Sequence, residues 1–323
     1  MSVIGEGVAA EVSARADRRL AAIDPLLPEI TDLPAGCGAT FVAWDAEQPA
    51  AIAACDHWEG APGSIGLAWG AARRFRLIPR VAGPNVAAAL DELINQWRDH
   101  LADVSAADGD DTAAGVNWPS RDAEGIRVLL RHGMAPRGVA AARLTGRAGA
   151  DREAPSPPPP GVVIRKAGPA DIDAVASLAI ALVRYDEKFG NVIERAETEA
   201  LLRDDSAELL ATPDRWVWLA ERDGVAVGFL AALRPAASTW IAPLTRLAPV
   251  AYLQQGFVLP TERGAGAGSL LTAAFHAELS SAGVAVTLLH HSQVNPLSTP
   301  FWSQQGYRPL WTTWEARPAR TLR

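Results

Sequence analysis

The stretch Val258-Leu259-Pro260-Thr261-Glu262-Arg263-Gly264-Ala265-Gly266-Ala267-Gly268-Ser269 decides how the chain is read. Residues 252–259 ahead of it form an apolar, strand-like run. Behind it Leu270, Leu271, Ala274, Phe275 and Leu279 recur at helical spacing, which predicts a helix over 269–281. Three glycines alternating with two alanines strip this strand-to-helix turn of side-chain bulk, so backbone N–H groups at the helix start can approach an anion. Arg263 adds a guanidinium able to hold phosphate oxygens in a bidentate fork. The turn is therefore expected to seat a pyrophosphate. It is not a P-loop, because no Gly-Lys pair precedes Ser or Thr. Gly264, Gly266 and Gly268, spaced two and two, also do not make Gly-x-Gly-x-x-Gly.

Outward from this turn the second half alternates strands and helices. A short β-rich run covers 162–165, and Pro169-Ala170-Asp171 opens a helix that continues to about residue 184. Runs 216–221 and 225–233 flank Asp223-Gly224, a pair suited to a tight hairpin. A buried strand over 284–289, a helix around 299–305 closed by Gly306 and a final strand near 310–315 complete the order. This is mixed α/β architecture. Residues 150–161 contain Pro155 and Pro157 to Pro160 and are expected to be an extended linker. Residues 105–114, with Asp108, Asp110 and Asp111, are expected to be a solvated loop. The expected division is 1–149, linker 150–161 and 162–323.

Composition narrows the function classes. The 323 residues hold 30 Lys+Arg against 37 Asp+Glu, a net charge of −7, with no basic stripe, which argues against a nucleic-acid partner. Apolar residues at 49% and charged residues at 21% fit a globular chain. Cys37 and Cys55 cannot build a disulfide framework, and no Cys/His spacing suggests a metal. The first ten residues carry Glu6 and no basic region. The longest apolar stretch, 174–183 interrupted by Ser177, falls short of the roughly 20 residues a membrane span needs. A soluble, cytoplasmic protein, monomer or homodimer, is expected. Only Lys166 and Lys188 among the basic residues are lysines, which with the abundant alanine suggests a GC-rich bacterium.

The turn resembles the acetyl-coenzyme A loop of the GCN5-related N-acetyltransferases (GNAT), Arg/Gln-x-x-Gly-x-Gly/Ala, through Arg263, Gly266 and Gly268, with Val258 and Pro260 at the strand end. The family's downstream pattern is matched by Asn295, Ser298, Phe301, Trp302, Gly306 and Tyr307. The resemblance covers about 162–318. It implies a bent sheet in which two parallel strands splay to admit acetyl-CoA. Backbone groups of Phe257, Val258 and Leu259 would pair with the pantetheine. Arg263, Gly264, Ala265, Gly266, Ala267, Gly268 and Ser269 would hold the pyrophosphate. Asn295 would bond the pantetheine, and Phe301 and Trp302 would line its thiol end. Where the family commonly has a tyrosine that protonates the leaving thiolate, this chain has Trp302, whose indole is no practical acid near neutrality. Ser298, Ser303, Tyr307 or water would have to serve. The strand also lacks the family's glutamate base, so His290 and His291 become the candidate bases. Tyr252, Gln254, Gln255 and the Asp186-Glu187 pair are further candidates.

The first half repeats the pattern in weakened form. Shifted by 173 residues, Asp122, Val128-Leu129 and Gly133-Met134-Ala135-Pro136 overlay Asn295, Phe301-Trp302 and Gly306-Tyr307-Arg308-Pro309. Leu77-Ile78-Pro79 resembles Val258-Leu259-Pro260, a helix is expected over 87–97 and a strand over 139–144, but the glycine series is missing and Pro84 lacks an N–H. The arrangement looks like the tandem acetyltransferases that include mycothiol synthase, with an inert first copy. The expected activity is transfer of an acetyl or related acyl group from acetyl-CoA to a primary amine of a small molecule by direct attack. The alternative is a non-catalytic acyl-CoA sensor.

Overall fold

The computed structural model describes residues 5–30, 33–34, 38–104, 109–146, 160–212 and 215–323. The expected linker lies outside the described residues apart from Pro160 and Gly161, which form a turn. The first half runs α1 (Glu6–Ile23), β1 (Ala39–Asp45), β2 (Gln48–Glu59), β3 (Arg73–Val81), α2 (Val86–Val104), β4 (Thr112–Pro119), α3 (Ala123–Arg131) and β5 (Ala135–Leu144). The second half runs β6 (Val162–Lys166), α4 (Ile172–Glu187), α5 (Thr198–Ala211), β7 (Trp216–Arg222), β8 (Val225–Leu233), β9 (Val250–Val258), α6 (Ala267–Ser281), β10 (Val286–Ser292), α7 (Ser298–Gln304) and β11 (Arg308–Ala316). Between β7 and β8, Asp223 at φ 51° and Gly224 at φ 79° both take the left-handed region that a two-residue hairpin of matching twist requires.

All described strands belong to one 11-stranded sheet, ordered β1-β2-β3-β4-β11-β5-β10-β9-β8-β7-β6. The halves exchange their last strands. β11 enters the first half between β4 and β5, antiparallel to both, in register from Trp311↔Pro119 to Ala316↔Ala114 against β4. β5 pairs with β10 from Val286↔Leu144 to Ser292↔Gly138. Ala140, Ala141 and Ala142 of β5 are buried. Alanine has little intrinsic preference for strands, so pairing on both edges is what fixes this segment as one. An Arg308–Asp24 ion pair ties β11 to the end of α1.

The repeat is visible in the elements. Subtracting 173 carries α7 onto residues 125–131 in α3, β10 onto 113–119 in β4 and β11 onto 135–143 in β5. Of the loop expected over 105–114, residues 105–108 lie outside the described residues, residues 109–111 are exposed and outside any strand, and the structure corrects its end, because Thr112, Ala113 and Ala114 are buried in β4. The Asp-rich run ahead of them masks where the strand begins. Helices α1 and α5 are additional to the elements read from sequence. Trp118 of β4 lies so close under α3 that a Cβ on Gly125 would stand 2.2 Å from its ring carbons. Gly125→Ala is therefore expected to destabilise the fold by about 1–3 kcal/mol through overpacking, measured by urea denaturation. An unchanged midpoint would mean the ring can move aside.

Candidate functional site

In both halves a parallel strand pair opens like a V. β9 and β10 pair from Val250↔Val286 to Leu253↔Leu289 and then part, β9 continuing to Val258 and β10 to Ser292. The cause lies on the other edge of β9. Ala231 faces Gln255 and Ala232 faces Leu253, so Gln254 is an extra residue, a bulge that bends β9 at the point where pairing with β10 stops.

The glycine turn follows. Pro260–Glu262 make one 3-10 turn, Gly264 has φ 79°, and Gly266, the N-cap of α6, has φ 89°. Among the described residues the amides of Gly264, Ala265, Gly266, Ala267, Gly268 and Ser269 find no backbone carbonyl to donate to, whereas the next amide, Leu270, bonds the Gly266 carbonyl at 3.0 Å. Helix geometry leaves first-turn donors unpaired, and here they border a partly open turn. Such a row of donors suits a diphosphate. The Ser269 hydroxyl accepts from Gln305 Nε2 at 3.3 Å.

The Arg263 side chain is placed differently from expectation. Its Nε donates to the Val258 carbonyl at 3.0 Å, and its guanidinium lies 4.2 Å from the Tyr185 ring centre and 5.4 Å from that of Phe257. It braces the turn against α4, so a fork through Nε is not free. The backbone expectation is also corrected. The Leu259 N–H bonds the Val227 carbonyl at 2.9 Å and its carbonyl accepts from Glu262 N–H, so Leu259 has nothing to offer the opening. Ladder alternation turns Phe257 toward β8 as well, leaving Gly256 and Val258 to face the splay. Sequence could not show this parity, because the bulge at Gln254 sets it.

Asn295 is buried at 3% exposure. Its Oδ1 accepts from Leu297 N–H at 3.0 Å, and its Nδ2 donates to Asp186 Oδ1 at 3.2 Å. It shapes the turn into α7 and ties it to the end of α4. Phe301 packs on the start of α6, 3.3 Å from where a Gly268 Cβ would be. Trp302, 8% exposed, lies edge-on between Phe301 and Tyr307 and covers Gly256. Tyr307 is no substitute acid for the opening, because it is buried with its hydroxyl 3.2 Å from His276 Nε2.

The two histidines diverge because successive strand residues face opposite ways. His290, one residue past the last β9–β10 pair, shares a face with Tyr252, whose hydroxyl is 3.1 Å from its Nδ1. His290 is exposed at this point of the strand, yet crowding by protein atoms, with the neighbouring His291 charge, holds its pKa well below the usual histidine value. His291 is only 7% exposed, with Nδ1 on the Ser292 carbonyl at 3.1 Å. The structure adds Trp240, exposed and 4.9 Å from the Tyr252 ring. It also gives weight to Asp186. Burial raises that carboxyl to about 6 against the opposing pull of Asn295 and Arg263.

Among the described residues no cluster of His, Cys, Asp and Glu could hold a metal ion, and no helix is long and apolar enough to cross a membrane. Residues 183–307 match the model of the Acetyltransferase (GNAT) family. A search of curated proteins found no match. Among solved structures, a GCN5-related N-acetyltransferase from Sphaerobacter thermophilus is similar at 15% identity and TM-score 0.52, covering 85% of this chain and 79% of its own. A GCN5-related N-acetyltransferase from Kribbella flavida aligns over 98% of this chain and 97% of its own at 17% identity and TM-score 0.44. A tandem GNAT protein from the clavulanic acid biosynthesis pathway aligns over 95% of each chain at 16% identity and TM-score 0.45. The segment that carries the splay, the glycine turn and α7 is thus the part of the chain that matches the GNAT family model, and the Sphaerobacter thermophilus structure is similar to the chain in fold.

Proposed function

We propose that the chain acylates a primary amine of a small molecule by direct attack on acetyl-CoA, with residues 162–323 catalytic and 1–149 a supporting copy, on the tandem plan the sequence shares with mycothiol synthase. The observation that carries this reading is the run of amides from Gly264 to Ser269, beside the splay, that have no backbone acceptor among the described residues. Those amides and the Gly256 and Val258 backbone would hold the diphosphate and the pantetheine arm. The acceptor would enter on the face of Tyr252, His290 and Trp240. Its amine loses a proton to His290 and its nitrogen bonds the thioester carbonyl carbon. The C–S bond breaks, and coenzyme A leaves as a thiolate. With a thiol pKa of about 8.5 the thiolate is a tolerable leaving group, so the change to Trp302 does not forbid the reaction.

For His290 to accept at Nε2, its Nδ1 must carry the hydrogen and donate it to the Tyr252 hydroxyl, so that Tyr252 orients the base. Asp186 is the second reading for the base, favoured by its raised pKa and its contact with Asn295 near the splay. Calorimetry with acetyl-CoA and a thiol-release assay over an amine panel test the whole. Binding together with amine-dependent thiol release is expected. Binding with no turnover on any amine would favour the sensor, and failure to bind any coenzyme A thioester would remove both.

A further inference from the structure

The first half has its own splay. β3 and β4 pair from Arg73↔Thr112 to Leu77↔Val116 and then part, and a cavity of about 560 Å³ opens between their ends, α1 and the segment 243–246. Asn117 stands there at the place that His290 holds in the second half, 290 less 173. The turn after β3 is closed to a diphosphate. Ala82 and Gly83 N–H both donate to the Ala50 carbonyl at 2.8 and 2.9 Å, and Pro84 has no N–H. The Asn85 side chain caps the Ala88 amide at 3.1 Å. The cosubstrate's seat is thus occupied by the protein itself, yet the cavity beside it stays.

Among the described residues its walls carry Arg19, Arg76, Arg80 and Arg246 against the single carboxylate of Glu29. Arg19 pairs with Asp122 and Arg76 with Asp56. Among the described residues Arg80 has no such partner: its buried Nε makes no hydrogen bond, and Nη1 reaches only the Pro79 carbonyl at 3.4 Å. Arg246 uses Nε on the Leu27 carbonyl at 2.7 Å and makes no ion pair among the described residues. Glu29 is the acidic side chain on the lining. Burial depresses the Arg80 guanidinium with no carboxylate opposing it. A buried cation left unpaired is costly, and an anion entering the cavity removes that cost. Trp118, Leu244 and Trp311 give the rest of the wall an apolar character suited to a hydrocarbon body.

We propose that the first-half splay is a binding site for a small organic anion, a carboxylate or phosphate monoester on an apolar body, held by Arg80 with Arg246 and separate from the acyl-CoA site. The test titrates hexanoate and phenyl phosphate into the full chain by calorimetry, with and without saturating acetyl-CoA. Binding of one probe with a Kd below about 1 mM, retained in the presence of acetyl-CoA, is expected. The stronger probe identifies the head group. Arg80→Met is expected to weaken binding by roughly tenfold or more, because a charge-assisted hydrogen bond is lost. The same variant is expected to raise the Tm of the unliganded chain, since an unpaired buried charge is gone. Should Arg80→Met not fold, Arg80→Gln carries the same expectation of weakened binding. The proposal is overturned if neither probe binds, if acetyl-CoA displaces the probe, or if the Arg80 variant binds as the natural chain does. A lowered Tm with unchanged binding would assign Arg80 to packing alone.

Discussion

Replacing Gly266 with valine is expected to weaken acetyl-CoA binding by about 100-fold or more while leaving the chain folded. Gly266 holds φ 89° at the N-cap of α6, a left-handed conformation that a β-branched side chain avoids. Staying there costs about 1–3 kcal/mol, and moving to negative φ rotates the amides of Ala267, Gly268 and Ser269 away from their common direction. A hydrogen bond to a charged group contributes about 1.5–3 kcal/mol, so misdirecting two of them removes roughly 3–6 kcal/mol of binding, beyond 100-fold. Domain stability is about 5–15 kcal/mol, larger than the local strain, so circular dichroism should report an intact fold. Calorimetry reads the affinity. A variant that binds as tightly as the natural chain would take the glycine turn out of the site.

What the sequence disclosed was governed by locality. The hairpin at Asp223-Gly224, the glycine turn and the amphipathic helix behind it are set by neighbouring residues, and their bounds came within a few positions of those observed. Repeat arithmetic likewise set residues of α3 and β5 opposite those of α7 and β11, but β4 went unread because the overlay began only at Asp122. The strand exchange was invisible because β11 reads as a strand whichever neighbour it takes, and its partners β4 and β5 lie far back in the chain. The roles of individual site residues were harder still. Phe257, Val258 and Leu259 look equivalent in sequence, yet a one-residue bulge at Gln254 decides which of them faces the opening. Arg263 fits a phosphate fork until Tyr185, more than 70 positions earlier, offers its ring instead. His290 and His291 are separated only by strand alternation. Arg80 carries no motif at all; what singles it out is that no carboxylate pairs with it among the described residues, which only the assembled fold reveals.

Substituting His290 with glutamine is expected to lower kcat by about 10²–10⁴, the usual range for loss of a positioned base, with acetyl-CoA affinity little changed. Tyr252→Phe keeps the ring packing against Trp240 but frees the imidazole tautomer, and a smaller loss of about tenfold in kcat is expected. The pH profile separates the two candidate bases. A base works deprotonated, so the rate rises as pH rises through its pKa and then levels. His290 is depressed by burial and by the His291 charge, so its limb falls below the ordinary histidine value of about 6.5 and activity is already level at neutrality. Asp186 is raised by burial, so if it were the base the limb would stand at about 6 and vanish in Asp186→Asn. Asparagine keeps an oxygen for the Asn295 amide, so this variant changes the charge without breaking the link to α7. The expected outcome is that Asp186→Asn retains kcat within about tenfold and keeps its acid limb, while His290→Gln loses both. The opposite pattern, a near-normal His290→Gln and an inactive, pH-flat Asp186→Asn, would move the proton transfer to the carboxylate at the end of α4.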